Sequence, residues 1–381
     1  MAEGDIGAVL DTQIIDTGTG VSTKLIHVDG LIWAAVYETP DTTGWIKTVS
    51  ISEDGLTLAL AGGSLHYDLV AGTTPDIIHI SDDIYAVVYQ GPDGDGWIKT
   101  VSISADGTTV ALAGGSLEFD ASDGLKPIIT PISGDIYAIA YEDYGYDGTI
   151  ITVSISADGA TIAAAGGSLI YDDVKGTGGR LVRIAGEVYA VVYGGPDFDG
   201  WIKTVTISAD GATVALAGGS LEFDEVHGAS PYPIEIAPGI FAIAYQGPDT
   251  DGWIKAVSIS DDGLTLALAG GSLEFDVAQG QFPSLTHISG NVYALPYTGV
   301  GSDGFLTTLS ISEDGATIAI ADGPDEFDAD NGREAMIHHV ANSVYAIIYG
   351  GTGGAPTLKT IAVETIPPSG GAGGLMMMGI G

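Results

Sequence analysis

A repeat of 52 residues constrains this chain more than any other feature of its sequence. Residues 91–120 read GPDGDGWIKTVSISADGTTVALAGGSLEFD, and residues 195–224 repeat them with few changes. One position recurs every 52 residues, without insertion or deletion, as Trp45, Trp97, Thr149, Trp201, Trp253, Phe305 and Thr357. Periods of about 40 to 50 residues that hold several short strands indicate a β-propeller. The seven copies therefore predict seven blades.

Each copy divides into four strand-like runs, which we name A to D from the central channel outwards. In the second copy these runs are PDIIHI, DIYAVVY, WIKTVSIS and TTVALAGGSLEFD. They are rich in β-branched and aromatic residues and are bounded by turn residues. The sequence predicts an all-β fold with four-stranded antiparallel blades and no helix.

An Asp-Gly pair separates runs C and D in most copies. Asp106 and Gly107 form this pair in the second copy, and the sequence predicts a two-residue type I′ hairpin there. The equivalent aspartates are Asp54, Asp158, Asp210, Asp262 and Asp314. We interpret them as turn formers and not as catalytic groups.

The two ends of the repeat array predict how the ring closes. The last copy has no run D, whereas residues 8–16, AVLDTQIID, have the phase of a run D that precedes the first copy. Asp16 lies 52 residues before Asp68. The N-terminal strand is therefore expected to complete the last blade, because two open sheet edges would otherwise invite aggregation. The predicted domain comprises residues 1–366.

A glycine pair in run D points to a close approach or a β-bulge. Counting back from the predicted hairpin puts Lys99 opposite Gly114 and Ile98 opposite Gly115. Trp97, which begins run C, is expected to pack between blades. The alternative is an exposed platform on which a sugar stacks.

Carboxylates at the blade ends are the first candidate site. The predicted hairpin brings two aspartates of the B–C loop beside an acidic pair at the end of run D. Oxygen ligands of this kind suit Ca²⁺, and the alternative is solvated surface acid. The copies that keep all four groups have Asp93, Asp95, Glu118 and Asp120; Asp197, Asp199, Glu222 and Asp224; and Asp249, Asp251, Glu274 and Asp276. Asp120 and its equivalents are also suited to capping nearby loop amides.

Run A supplies the second candidate site, because this strand lines the channel of a propeller. One of its positions carries His27, His79, Pro131, Arg183, Glu235, His287 and His339 around the ring. Once the ring closes, the four histidines belong to neighbouring blades. Such an arc could bind a transition metal or change its charge between about pH 5 and 8. The alternative is a polar, hydrated channel lining.

Composition excludes several classes of function. The chain has 50 Asp and Glu residues against 11 Lys and Arg, a net charge of −39, which disfavours binding to nucleic acid or anionic lipid. Cysteine is absent, so thiolate chemistry is excluded. No run approaches the roughly 20 apolar residues of a membrane span, and the first ten residues do not resemble a secretory signal. No sequence motif pairs a nucleophile with a base.

A segment outside the repeat, residues 367–381, reads PPSGGAGGLMMMGIG. Its glycines precede an apolar group of five residues: Leu375, Met376, Met377, Met378 and Ile380. Methionine suits adaptable contacts. We predict that this tail is an assembly element that mediates self-association, and the alternative is insertion into the chain's own channel.

Residues 8–366, with the phrases DGWIKTVSIS and GGSLEFD, resemble repeat propellers of uncharacterised microbial and viral surface proteins. This resemblance implies an extracellular or virion setting. Every blade-end loop has the same length, whereas an active site normally distinguishes some loops. We therefore expect a non-enzymatic structural or adhesive protein that binds a glycan, a protein surface or neighbouring subunits. The alternative is a glycoside hydrolase or lyase at an acidic channel mouth.

Overall fold

Seven four-stranded antiparallel sheets form the fold in a computed structural model that describes residues 2–18 and 22–365. The first blade contains β2 Lys24–Asp29, β3 Ile32–Glu38, β4 Gly44–Ile51 and β5 Leu58–Asp68. The second contains β6 Thr73–Ser81, β7 Ile84–Gln90, β8 Gly96–Ile103 and β9 Val110–Asp120. The third contains β10 Leu125–Ser133, β11 Ile136–Glu142, β12 Gly148–Ile155 and β13 Ile162–Asp172.

The remaining blades repeat this order of strands A to D. The fourth contains β14 Thr177–Ala185, β15 Val188–Gly194, β16 Gly200–Ile207 and β17 Val214–Asp224. The fifth contains β18 Ala229–Ala237, β19 Ile240–Gln246, β20 Gly252–Ile259 and β21 Leu266–Asp276. The sixth contains β22 Thr286–Ser289, β23 Val292–Thr298, β24 Gly304–Ile311 and β25 Ile318–Asp328. The seventh contains β26 Arg333–Ala341, β27 Val344–Gly350, β28 Pro356–Val363 and the N-terminal β1 Ile6–Ile14.

The N-terminal strand closes the ring as the sequence predicts. β1 pairs antiparallel with β28, and Gln13 lies opposite Leu358. The seven-bladed all-β architecture is therefore confirmed. Within the described residues there is no α-helix, and six single-turn 3-10 helices occupy B–C loops.

The hydrophobic core lies between successive blades. Strand B is buried almost throughout: Tyr85, Val87 and Tyr89 of β7 pack with Ala34, Val36 and Ile46 of the preceding blade, among other buried residues. Because both faces of a central strand are covered, its sequence reads as a continuous apolar run. Burial of these runs explains why the strands form despite many glycines.

The C–D turn differs from the predicted two-residue hairpin. Ile51 pairs with Leu58, so the loop spans residues 52–57. The Gly55 amide donates to the Ser52 carbonyl, and Gly55 has φ +69°. Asp54 is a turn former, because its Oδ1 accepts hydrogen bonds from Ser52 Oγ and the Leu56 amide.

The glycine pair of strand D forms a β-bulge that changes the predicted register. Val101 pairs with Leu112, in line with the hairpin count, but Lys99 pairs with Ser116. Gly114 has φ +112°, and the Gly115 amide bonds the Gly159 carbonyl of the next blade. A Cβ on Gly115 would lie 2.6 Å from that carbonyl oxygen. The pair is therefore both a bulge and a close approach between blades.

Candidate functional site

An Asp–Tyr–Lys cluster joins each blade to the next and determines what the aspartate at the end of strand D can do. Asp224 Oδ2 accepts hydrogen bonds from Tyr245 Oη and Lys255 Nζ of the following blade, both at 2.8 Å. The tyrosine bond recurs at all seven junctions, with distances of 2.7 to 2.9 Å. The lysine recurs at five junctions, where Lys47, Lys99, Lys203, Lys255 and Lys359 form salt bridges.

The same aspartates also cap the D–A loops. Asp224 Oδ1 accepts hydrogen bonds from the amides of Val226 and His227. Burial alone would raise the pKa of Asp224, but the Lys255, amide and Tyr245 hydrogen bonds together lower it. Asp120 and Asp276 bond loop amides and a tyrosine in the same way. These three residues, predicted as calcium ligands, therefore have structural partners on both oxygens.

Two blade ends bring a pair of the predicted carboxylates together. Burial, the charge of Asp199 and a hydrogen bond with it raise the pKa of Glu222. Glu274 and Asp251 form the equivalent pair in the fifth blade, where the pKa of Glu274 is raised for the same reasons. In the second blade, Asp93 and Glu118 are both exposed.

The predicted fourfold convergence of oxygen ligands is not seen. Across residues 2–18 and 22–365, no three His, Cys, Asp or Glu side chains are placed to hold a metal ion. The aspartate of strand D turns toward the next blade, and Asp93, Asp197 and Asp249 sit exposed in the 3-10 turns with positive φ. Calcium binding itself stays a prediction, because the structure does not test it.

The predicted histidine arc lies at the A–B turns. His27, His79, His287 and His339 are exposed, and each Nε2 contacts a carbonyl oxygen of its own turn at 2.9 to 3.0 Å. Each ring packs on the aromatic residue of strand B, as His79 does on Tyr85. Arg183 also bonds its turn carbonyl, and Glu235 is exposed. The channel mouth is lined by residues that come earlier in strand A, such as Lys24 and Arg180.

The B–C and D–A loops form one face of the ring, which we call the loop face. The A–B and C–D turns form the opposite face, the turn face. Among the described residues, three large apolar side chains are exposed on the turn face: Leu31, Leu56 and Leu264. Eight more are exposed on the outer strands of the blades: Val9, Ile14, Leu60, Leu112, Ile170, Leu216, Leu268 and Ile320. Ten described residues of this kind are exposed on the loop face: Leu69, Val70, Tyr144, Tyr146, Val174, Phe198, Val226, Val277, Phe282 and Val300. Exposed apolar groups collected on one face mark an interaction surface.

A cavity of about 300 Å³ opens at the channel mouth on the loop face, and we call it the channel cup. Its walls come from the first residues of the A strands. Its described lining residues include the cations Lys24, Lys126 and Arg180 and the carboxylate Glu334. Buried Asp76, at the same position of strand A as Lys24, acts electrostatically on Lys24 and Arg180. The mouth therefore carries both signs of charge, and the hydrolase alternative stays a prediction.

Sequence analysis did not identify the channel cup as a site. A signal was available, because one position at the start of strand A differs in all seven copies: Lys24, Asp76, Ile128, Arg180, Tyr232, Ser284 and Met336. The sequences of the blades otherwise differ little, so this divergence indicates a local role that the repeated residues do not provide. The tail residues Leu375, Met376, Met377, Met378 and Ile380 lie outside the described residues.

Comparison with solved structures supports the fold alone. No protein-family profile and no curated protein sequence matches this chain. A candidate 6-phosphogluconolactonase from Bacteroides fragilis superposes with a TM-score of 0.57 at 16% identity, covering 84% of this chain and 91% of that chain. A candidate enzyme of the same name from Bacteroides uniformis gives 0.57 at 14%, covering 80% and 85%. Sqt1 from Chaetomium thermophilum gives 0.54 at 13%, covering 90% and 83%.

The described part of the chain contains only short 3-10 helices. None of its helices is long and apolar enough to cross a bilayer.

Proposed function

We propose that this chain is a non-enzymatic binding propeller of the structural or adhesive kind, which engages its partner through the loop face. The observation that carries the proposal is the concentration of exposed apolar side chains on that face. Val70, Val174, Val226 and Val277 are 65 to 76% exposed at D–A loops of different blades. Apolar groups this exposed gain free energy when a partner covers them.

Repetition supports multivalent binding. Equivalent loops recur at blade after blade, so a partner with repeated features can engage several loops at once. Linked contacts of this kind raise overall avidity without a strong single contact. The acidic surface favours a partner with cationic groups, and Ca²⁺ at pairs such as Asp199 and Glu222 would offset the charge.

The proposed setting is extracellular or at a virion surface, in an assembly such as a filament or capsid. The uniform loops support this setting, because assemblies of repeated units present repeated partners. Self-association through the tail, residues 367–381, is part of the proposal. Deleting residues 369–381 should reduce higher-order assembly in sedimentation velocity and leave the melting transition intact, and unchanged assembly would contradict the role of the tail.

The enzymatic alternative has less support from the channel cup. A glycoside hydrolase needs two carboxylates in fixed roles across its substrate. Glu334 lines the cup, whereas the carboxylate of Asp76 is buried, bonds the Ile129 amide and has a raised pKa because of its burial. A screen with chromogenic glycosides and polysaccharides tests this alternative, and turnover that one aspartate or glutamate substitution abolishes would contradict the proposal.

Two matched double variants test the loop face. Val70→Asp with Val174→Asp alters the loop face, and Leu56→Asp with Leu264→Asp alters the turn face at side chains of similar exposure. We expect the first variant to lose binding on a printed glycan array or to lose self-association in sedimentation velocity, whereas the second keeps both. The proposal fails if the turn-face variant loses them and the loop-face variant does not.

A further inference from the structure

The channel cup is where the ring departs from its own symmetry. Strand B and the Asp–Tyr–Lys clusters recur around the molecule, yet the cup-lining position of strand A is different in every blade. The repeat places this position at the start of strand A in every copy without insertion or deletion. The cup therefore has a set of side chains that the repeat does not share.

Two cationic side chains of the cup, Lys24 and Arg180, form no salt bridge, although the charge of buried Asp76 acts on both. Of the eleven Lys and Arg residues, five lysines pair with strand D aspartates, and Lys126 pairs with Glu142 at 2.9 Å. Among residues 2–18 and 22–365, no carboxylate oxygen lies within 4 Å of a side-chain nitrogen of Lys24 or Arg180. Of the described cations without a salt bridge, Lys24 and Arg180 are the two that line the cup.

The surroundings of these cations make their isolation costly. Burial and the charge of Arg180 lower the pKa of Lys24, and Asp76 and Glu334 oppose that effect only in part. The Arg180 guanidinium lies 4.5 Å from the centroid of the Tyr232 ring, which fixes its plane. Buried charges are normally paired, because desolvation is otherwise unfavourable. Asp76 Oδ2 accepts a hydrogen bond from the Ile129 amide and forms no salt bridge with either cation, so an anion between Lys24 and Arg180 would provide the direct contact that Asp76 does not make.

An unpartnered hydroxyl in the cup also points to a ligand. Thr74 lines the cup, and its Oγ1 is buried without a hydrogen-bond partner in the described part of the chain. Buried polar atoms of this kind are normally satisfied by protein, water or a bound molecule. A hydroxyl can donate to the oxygen of an anionic group.

The remaining wall of the cup is rigid and apolar. Pro75, Pro231 and Pro283 come from three different blades, and Phe282 and Met336 add apolar surface. A volume near 300 Å³ lies at the lower end of the range for small-molecule sites. The cup thus combines a cationic pair with an apolar wall in a space suited to one small molecule.

We propose that the channel cup binds a small organic anion, whose phosphate or carboxylate lies between Lys24 and Arg180 and whose apolar body contacts the proline wall. Arg180 supplies the planar, multiple-donor recognition that suits phosphate and carboxylate oxygens. Lys24 supplies a second positive charge. The carboxylates of Glu334 in the lining and of Asp76 beside the cations disfavour ligands with several separated anionic groups.

Isothermal titration calorimetry with three related probes tests this site. Phenyl phosphate carries a phosphate on a phenyl ring, and benzoate carries a carboxylate on the same kind of ring. Benzamide is the neutral counterpart of benzoate. We expect at least one anion to bind the full chain with one site per chain, whereas benzamide binds more weakly by about tenfold or more. Stronger binding of phenyl phosphate or of benzoate identifies which group the cup prefers.

Substitutions at the cup carry the test further. Arg180→Gln and Lys24→Gln should each weaken binding of the preferred anion by about tenfold to a hundredfold. Arg183→Gln is the matched control, because Arg183 lies on the same strand but bonds the Gly186 carbonyl at the turn face. Without ligand, Lys24→Gln should change the melting temperature little, since it removes a desolvated charge but also leaves buried Asp76 with one cation fewer.

Two results would overturn the proposal. One is that neither anion binds more tightly than benzamide at concentrations up to about 10 mM. The other is that Arg180→Gln and Lys24→Gln, both with wild-type melting transitions, keep wild-type affinity. These variants leave the loops of Val70 and Val174 unchanged, so failure of the cup is distinguishable from failure of the loop-face proposal.

Discussion

At the residue scale, the aspartate that ends strand D binds both its own loop and the next blade. Asp172 caps its own loop through the amides of Val174 and Lys175, and it bonds Tyr193 and Lys203 of the next blade. Loop capping by these aspartates was expected from the sequence. The interblade bonds were not, because they join residues 21 and 31 positions apart whose proximity depends on how blades pack.

The ring provides a natural control for the lysine of this cluster, because the third blade has Ile151 where others have lysine. Lys203→Ile should lower the free energy of unfolding by about 1–3 kcal/mol, since it leaves Asp172 without its charged donor. Ile151→Lys, which offers Asp120 a new donor, should raise it by up to about 1 kcal/mol. Urea unfolding of both variants measures the two effects, and a neutral Lys203→Ile would contradict the assigned role of the cluster.

Acid should weaken the same junctions. Burial opposes ionisation of Asp68 and Asp172, but hydrogen bonds from lysine, loop amides and tyrosine outweigh it and lower the pKa of each carboxyl group. A lowered pKa means that the folded state favours the charged form. Its contribution is complete above the unfolded value of about 4 and is lost as the pH falls through the lowered folded value.

Unfolding free energies measured from neutral pH to about pH 3 check this expectation. Stability should fall steeply below about pH 4, and Lys203→Ile should show a shallower fall because Asp172 then titrates nearer its ordinary pKa. Equal slopes for wild type and variant would count against the argument.

At the scale of elements, the strands and their order were predictable, and the register was predictable only near the turn. The strand register obtained by counting residues from the C–D turn is correct as far as the Val101–Leu112 pair. Beyond it, the Gly115 amide turns to the Gly159 carbonyl of the neighbouring blade, and the bulge adds two residues to strand D. The glycine pair signalled a bulge, but its partner belongs to another repeat, which local pattern cannot identify.

Gly115→Ala tests this close approach. The added Cβ would meet the Gly159 carbonyl oxygen at 2.6 Å and the Thr100 hydroxyl at 2.7 Å, so the blades would have to separate. We expect a loss of about 1–3 kcal/mol in unfolding free energy. Ser116→Ala, at the exposed neighbouring residue, is the control and should be nearly neutral. A Gly115→Ala variant as stable as Ser116→Ala would show that the contact does not matter.

At the scale of the whole molecule, the N-terminal segment that closes the ring makes contacts that C–D turns make at other blade junctions. Thr100 Oγ1 donates to the Gly159 carbonyl of a C–D turn, and Thr308 Oγ1 donates instead to the Gly4 carbonyl of the N-terminal segment. Asp322, which stands where other copies have the first glycine of the pair, accepts a hydrogen bond from the Ile6 amide. The divergence of the sixth copy at this point thus has a structural cause.

Deleting residues 2–16 should remove the ring closure. The β28 edge would be exposed, and the Asp16 bonds to Tyr37 and Lys47 would be lost. We expect a lower melting temperature and aggregation in size-exclusion chromatography. Deletion of residues 369–381 is the control for loss of a terminal segment, and equal behaviour of the two deletions would contradict closure by β1.

Much of the whole-molecule architecture could be predicted from the repeat period, whereas the candidate sites could be predicted only in part. The period counts the blades, and the phase of Asp16 identifies the closing strand. The channel cup was missed because its side chains come from all seven blades and share no motif. The repeat pattern does not reveal a site formed by residues that differ between copies, such as Lys24, Arg180 and Tyr232.

Electron cryomicroscopy of the native assembly tests the central claim, that this propeller binds its partners through the loop face, most directly. The account predicts density of the partner or neighbouring subunit over the B–C and D–A loops, with residues such as Val70, Val174 and Val226 covered. Contacts confined to the A–B and C–D turns, with the loop face open to solvent, would contradict it.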